Sequence, residues 1–170
     1  GCDHAGCELK DEVISFLKEK NIEVTDCGIK AGEKCDYPDM AEKVCGLITS
    51  GKAEKGILVC GTGIGMSIAA NKIKGIRAAV CSDHFSVKYT RLHNDANVLC
   101  MGARVIGPGT ALELTELFEQ PKRRLSGYLE VDGVVKKISG PIDILPIVGT
   151  FGITSYSNFK VCKKDLRAFI

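Results

Sequence analysis

The sequence predicts an α/β fold: a three-layer αβα sandwich, Rossmann-like, built on a mostly parallel five-stranded sheet. Three observations predict it. Helix-patterned and strand-patterned segments alternate from residue 8 to residue 119. The strand segments are continuously apolar, as strands buried on both faces are, where a one-sided sheet would alternate. An apolar run, Gly56-Ile57-Leu58-Val59, also passes directly into a glycine-rich turn that opens a helix, the junction at which such folds collect ligands.

The elements follow in order. Leu9, Val13, Ile14, Phe16 and Leu17 share one face of a helix over residues 8–20. Ile22 to Cys27 reads as a strand and Gly28 to Pro38 as a loop. Met40, Val44, Leu47 and Ile48 mark a second helix that ends near Gly51. Ile57 to Cys60 is a buried strand, Ile64 to Lys72 a helix, and Ile76 to Cys81 a strand. A helix over Asp83 to His93, a strand over Ala96 to Met101 and a helix over Pro108 to Glu119 complete the series, the last with proline near its start. Beyond Pro121 the rhythm stops. Tyr128 to Val131 and Val134-Val135, around Asp132-Gly133, predict a hairpin. Residues 139–170 mix glycine, proline and β-branched residues without a helix pattern, and Leu166 to Ile170 is a candidate for an edge or first strand of the sheet. The chain therefore divides into a domain over 1–121 and an atypical tail over 122–170 with no assigned role.

Composition bounds the function. With 170 residues the chain can bury a sizeable core without staples. Lys and Arg number 23 against 21 Asp and Glu, and no long basic run occurs, so neither nucleic acid nor a membrane surface is an expected partner. No apolar run reaches the roughly 18 residues of a membrane span, and no signal-peptide pattern opens the sequence, which together predict a cytoplasmic protein. The nine cysteines are scattered and form no C-x-x-C pair. Most of them read as small buried hydrophobes in a reducing compartment.

The chemistry concentrates in Cys60-Gly61-Thr62-Gly63-Ile64-Gly65. Glycines let the backbone approach a ligand closely, and the first N–H groups of the following helix face negative charge. A cysteine there can be drawn toward thiolate. The spacing is neither G-x-G-x-x-G nor a P-loop, since Met66 and Ile68 occupy the deciding positions and no Gly-Lys-Ser/Thr follows. A small anion is thus favoured over a dinucleotide or nucleoside triphosphate. Asp3-His4 before the first helix fits a ligand contact and equally an N-cap with a surface histidine. His93 fits a catalytic acid–base and equally a cation complementing a helix terminus. Asp36-Tyr37-Pro38 alone is turn chemistry. Arg104 binds either an anion or a surface carboxylate, and Ser82-Asp83-His84 is a helix cap.

Taken together these residues resemble the type B ribose-5-phosphate isomerase family, which also includes galactose-6-phosphate isomerase subunits. The matching stretches are Gly1-Cys-Asp-His-Ala-Gly6, Asp36-Tyr-Pro38, Cys60 to Gly65 with Ser67-Ile-Ala-Ala-Asn71, Gly75-Ile-Arg-Ala78, His93-Asn-Asp-Ala-Asn-Val98 and Gly102-Ala-Arg104. The resemblance covers residues 1–120 in order and spacing. It implies an aldose–ketose isomerase interconverting D-ribose 5-phosphate and D-ribulose 5-phosphate through an enediolate, as in the pentose phosphate pathway, without metal or cofactor. Cys60 matches the base that moves a proton between C1 and C2. Some members place a glutamate where this chain has Met66, which cannot take a proton, so the chain resembles the cysteine-base subtype. His93 matches the ring-opening residue and Thr62 a hydroxyl-proton shuttle. Asp3, His4, Tyr37 and Asn94 match substrate contacts, Arg104 a phosphate contact, and the backbone of Gly61, Gly63, Ile64 and Gly65 the cradle for the anionic intermediate. The resemblance also implies a homodimer whose active site lies at the subunit interface.

Two departures stand out. The short strand that family members put before the Cys-Asp-His turn is not seen here. Nor does a Gly-Gly-Arg-His-type segment with a further arginine align near the C-terminus, where Lys122, Arg123 and Arg124 are the basic residues on offer. The alternatives are a six-carbon sugar-phosphate isomerase of the galactose-6-phosphate or allose-6-phosphate type, and a non-catalytic sugar-phosphate-binding protein.

Overall fold

A computed structural model describes residues 1–120 in full, together with the backbone of 124–131 and 134–141. Two compact units divide at residue 120. In the first, α1 (Cys7–Glu19), α2 (Tyr37–Thr49), β1 (Gly56–Cys60), α3 (Ile64–Ala70), β2 (Ala78–Val80), α4 (His84–His93), β3 (Val98–Gly102) and α5 (Pro108–Glu119) follow one another. The second contains β4 (Arg124–Val131) and β5 (Val134–Pro141), an antiparallel pair in which Val131 faces Val134. This is the expected hairpin, extended beyond its expected ends.

The strands of the first unit are parallel, in the order β1-β3-β2. Alternation along them divides the core into two layers. Val59, Leu99 and Met101 point to one face, where they pack with Leu9, Val13 and Leu17 of α1, Val87 of α4, and Ala111, Leu114 and Phe118 of α5. Leu58, Cys60, Val98 and Cys100 point to the other, against Met40, Val44 and Cys45 of α2 and Met66 and Ala70 of α3. Apolar residues on both faces explain why the strand segments read as unbroken runs. The three-layer αβα arrangement follows directly.

The sheet has three strands among the described residues, where five were expected. A single parallel bridge joins Cys2 to Val59 beyond the β1 edge, with Val59 N–H donating to Gly1 and Asp3 N–H donating to Val59 at 3.2 Å. Ile22 to Cys27 does not form the expected strand. It lies across a hollow of about 410 Å³ lined by Gly1, Val24, Cys27, Gly56, Ile57 and Val59, so its backbone has no ladder neighbour within reach. Strand propensity is local and pairing is not. The segment is fixed by other means: Lys10 Nζ on α1 donates to Asp26 at 2.7 Å, and the Gly28 N–H donates to the other oxygen of that carboxylate at 2.8 Å. Lys122, Arg123 and Leu166 to Ile170 lie outside the described residues, and of Arg124 only the backbone is described.

Other boundaries shift by a residue or two for visible reasons. The helix over Ile64 to Lys72 stops at Ala70 because the Asn71 side chain leaves to imitate a backbone. Its Nδ2 donates to Ala78 O at 2.8 Å and its Oδ1 accepts from Ala78 N–H at 2.9 Å, tying the end of α3 to β2. Asp83 caps α4 as expected, its carboxylate accepting from Ser86 N–H at 2.8 Å.

Candidate active site

The turns after Cys2 and after Cys60 leave neighbouring, parallel stretches of chain and diverge. The first leads to α1 on one face of the sheet and the second to α3 on the other. Divergence of this kind opens a crevice at the carboxyl ends of the strands. Two glycines make the junction possible. A Cβ on Gly6 would stand 2.5 Å from Val59 O, and one on Gly102 would stand 2.7 Å from the backbone of Thr62. The Asp3–Gly6 turn and the Cys60–Gly63 turn are thus pressed against the strand ends as bare backbone.

Cys60 closes β1 with its side chain 5% exposed. The Gly63 N–H donates to its Sγ at 3.0 Å. This contact requires the chain to reverse at once, which Gly63 does at φ +79°, a left-handed value natural to glycine. Ile64 N–H donates to Thr62 Oγ1 at 3.3 Å, placing the threonine hydroxyl at the same turn. Other described cysteines are arranged differently. Cys2 and Cys7 direct their S–H groups at the carbonyls of Ile29 and Asp3. Burial pushes the Cys2 thiol up to about 12 and the Cys45 and Cys81 thiols up to about 11, so all three stay protonated at neutral pH. A donor N–H aimed at sulfur suits an anion, whereas an S–H aimed at a carbonyl suits a thiol.

Other candidates converge on this turn. Ala103 N–H donates to Cys60 O at 2.8 Å and Arg104 N–H to Gly61 O at 3.0 Å, so the turn after β3 is laid along the turn after β1. Arg104 consequently stands over Gly61, where a Cβ would lie 3.7 Å from Nη1 and 3.8 Å from Ala5 Cβ. The Tyr37 ring lies against Gly65, within 3.1 Å of where its Cβ would be. Asp3 is buried and accepts from Ala5 N–H at 2.9 Å, folding its own turn instead of capping α1, whose N-cap is Gly6. His4 is exposed between two hollows, one shared with Lys34, Cys35 and Asp36, the other with Ala31, Gly32 and Ala103. Met66 is fully buried under α2 and carries no proton-accepting group. Among the described residues no three His, Cys, Asp or Glu side chains converge as a metal-ligand set.

His93 and Asn94 are not brought to this place. The ten residues of α4 run about 15 Å back from the carboxyl end of β2 toward the amino end of β3. His93 therefore sits at the opposite end of the sheet from Cys60. Its ring lies 5.0 Å from that of Tyr89, which lies 4.3 Å from Phe85, an aromatic ladder along the outside of α4. Gly102 and Asn71 appear in the sequence only within matching stretches and receive no role there: the need of Gly102 for a bare backbone shows only when Thr62 is seen against it, and the two hydrogen bonds joining Asn71 to Ala78 cross between elements.

The arrangement offers a buried sulfur that accepts a backbone N–H, a glycine backbone beside it, and a guanidinium over Gly61. The Ribose/Galactose Isomerase family model matches residues 1–132. The chain belongs to the ribose/galactose isomerase family. Ribose-5-P isomerase B of Listeria innocua is 53% identical over 116 residues, covering 68% of this chain and 78% of that protein. Ribose-5-phosphate isomerase B of Escherichia coli is 49% identical over 117 residues, covering 69% and 76%. The solved ribose-5-phosphate isomerase B of Clostridium thermocellum superposes with a TM-score of 0.68 at 47% identity, covering 69% of this chain and 80% of that one. In this member of the ribose/galactose isomerase family, Cys60 stands at a strand end beside the Thr62 hydroxyl, with Arg104 over Gly61 and the Tyr37 ring against Gly65.

Proposed function

We propose that this chain is an aldose–ketose isomerase interconverting D-ribose 5-phosphate and D-ribulose 5-phosphate. The observation that carries the reading is the Gly63 N–H donated to Cys60 Sγ at the carboxyl end of β1, in a chain whose family and relatives are sugar-phosphate isomerases. Cys60 as thiolate removes the proton from C2 of the open-chain aldose and returns it to C1. The enediolate between these steps carries its charge on oxygen. Backbone donors of the Gly61, Gly63, Ile64 and Gly65 turn stabilise that oxygen, each worth about 3 kcal/mol by analogy with an oxyanion-hole donor. Thr62 relays the hydroxyl proton between O1 and O2. Arg104 holds the phosphate, and Asp3, His4 and Tyr37 contact the sugar. His93 opens the ring, giving a proton to the ring oxygen and taking one from the C1 hydroxyl, with Asn94 as a further contact. Histidine suits both transfers near neutral pH.

His93 and Cys60 lie at opposite ends of one protomer's sheet, so this chemistry needs a homodimer in which the partner subunit's His93 reaches the Cys60 turn. Exposed apolar side chains are available for such contacts on the helices of both layers: Ile64 is 54% and Ile68 57% exposed on α3, and Phe85 70% on α4. The domain carrying the activity spans 1–121, and the tail over 122–170 has no part in the reading. The residues Gly1–Asp3 extend the sheet beyond β1, supported by the bonds that join Gly1 and Asp3 to Val59. No described helix is long and apolar enough to cross a membrane. Eight of the nine cysteines are described, and all eight are free, which fits the reducing cytoplasm.

A six-carbon sugar phosphate is the alternative substrate, and it would use the same turn with a longer pocket. Turnover of ribose 5-phosphate, allose 6-phosphate and galactose 6-phosphate decides between them. The reading expects the highest kcat/KM on ribose 5-phosphate. A higher value on either six-carbon sugar would reassign the substrate, and no turnover of any would make the chain a binder.

A further inference from the structure

Two residues in the stretches that carry the family resemblance, Arg77 and Asp95, take no part in the proposed proton transfers, yet they meet in space. Arg77 belongs to the approach to β2, and Asp95 to the turn just beyond His93 and Asn94. Asp95 holds φ +52°, the left-handed region that L-residues other than asparagine and aspartate seldom enter. Arg77 Nε donates to Asp95 O at 2.7 Å, and its Nη2 donates to the Asp95 carboxylate at 3.1 Å. From the other side, Arg91 Nη1 donates to Ala96 O and lies 3.7 Å from the second oxygen of the Asp95 carboxylate. The Arg91 guanidinium is itself seated on the Phe118 ring at 5.2 Å. The backbone of Arg77 is bonded to Asn97, whose side chain accepts from Arg77 N–H at 2.8 Å and donates to Gly75 O at 3.0 Å.

Apart from the seat of Arg91 on Phe118, each of these contacts touches a residue within two positions of Asp95. None is a ladder bond of the sheet, and the Arg77–Asp95 pair is about half exposed, with the two side chains at 47% and 53%. Exposed pairs of this kind add little to stability. The pair ties the turn that leaves α4 to the approach to β2, alongside the backbone bonds from Ala96 N–H to Thr90 O and from Asn97 N–H to Arg77 O, and the aromatic ladder of Phe85 and Tyr89 lies beside the imidazole of His93.

We propose that Arg77 is a positioning residue, which, together with Asp95 and Arg91, orients His93 and Asn94 for ring opening. This rests on the ring-opening role given to His93 above. Proton transfer to a ring oxygen requires heavy atoms about 2.6–3.2 Å apart, and a misplacement of about 1 Å costs on the order of a hundredfold. A clamp that leaves the fold intact and fixes only this turn is therefore visible in rate before it is visible in stability.

The test separates ring opening from proton abstraction in the full-length protein. Ribulose 5-phosphate carries its phosphate on the C5 oxygen and cannot close a furanose ring, so exchange of its C1 hydrogen with deuterated water needs Cys60 and no ring opening. For Arg77→Ala, kcat on ribose 5-phosphate should fall by about tenfold or more, with KM and the C1 exchange rate each within about twofold of wild type. Asp95→Gly, which enters the left-handed region freely, should retain more aldose turnover than Asp95→Ala, and Arg77→Lys should restore part of the loss. Aldose turnover within about twofold of wild type in Arg77→Ala, or exchange falling in step with turnover, would overturn the proposal. His93→Ala measured alongside distinguishes the two levels. Undiminished aldose turnover in His93→Ala removes the ring-opening role itself, whereas a loss there without one in Arg77→Ala removes only the clamp.

Discussion

Cys60 illustrates how one thiol among nine is set apart. Its neighbours in the core are apolar, as are those of Cys45, Cys81 and Cys100, and residue type alone would class them together. The difference is one backbone N–H, delivered by Gly63 because a left-handed glycine reverses the chain within three residues. The turn and its glycines were legible in the sequence because the motif is local: strand, cysteine, glycines, helix. The fate of the other cysteines was legible only as a tendency, and burial supplies the reason, pushing Cys45 and Cys81 up to about 11. Cys60→Ala should fold and bind ribose 5-phosphate in calorimetry while turnover falls by about a thousandfold, within the range of a lost general base. Turnover within about tenfold of wild type would mean that another group takes the proton.

At the scale of elements, the hydrophobic pattern identified all five helices and the three paired strands, because a buried parallel strand must be apolar on both faces. Ile22 to Cys27 shows where that reasoning ends. Its composition is that of a strand, but a strand exists only against a neighbour, and the neighbour's position is set by distant parts of the chain. The segment is instead held by a charged bridge to α1. Burial raises the Asp26 carboxyl, but the bonds from Lys10 and the Gly28 N–H and the charge of Lys10 outweigh it, and the net shift is below the ordinary 3.8. A lowered carboxyl contributes stability that is complete above pH 3.8 and disappears as the pH falls through its lower folded value. The melting temperature of Asp26→Asn should therefore lie below that of wild type at neutral pH, and the two should approach one another as the pH drops below 4. A gap that stays constant through that range would show that the bridge contributes no charge-dependent stability.

At the scale of the molecule, the position of His93 was the part least legible in advance. Its neighbourhood in sequence, His93-Asn94-Asp95, signals chemistry, and nothing local reveals that α4 carries it to the end of the sheet away from Cys60. Only topology shows this: β2 and β3 are parallel, so the helix between them must return. A single protomer thus holds Cys60 and His93 apart, and the proposed mechanism requires a second copy to bring them together, with Ile64, Ile68 and Phe85 as exposed apolar side chains available for contact.

Subunit complementation tests this account most directly. Cys60→Ala and His93→Ala homodimers should each be nearly inactive. Unfolded together and refolded in equal amounts, half of the dimers are mixed, and each mixed dimer carries one site with both residues intact, so about a quarter of wild-type activity should return. Activity remaining at the level of the separate variants would contradict a site built from Cys60 of one protomer and His93 of the partner subunit.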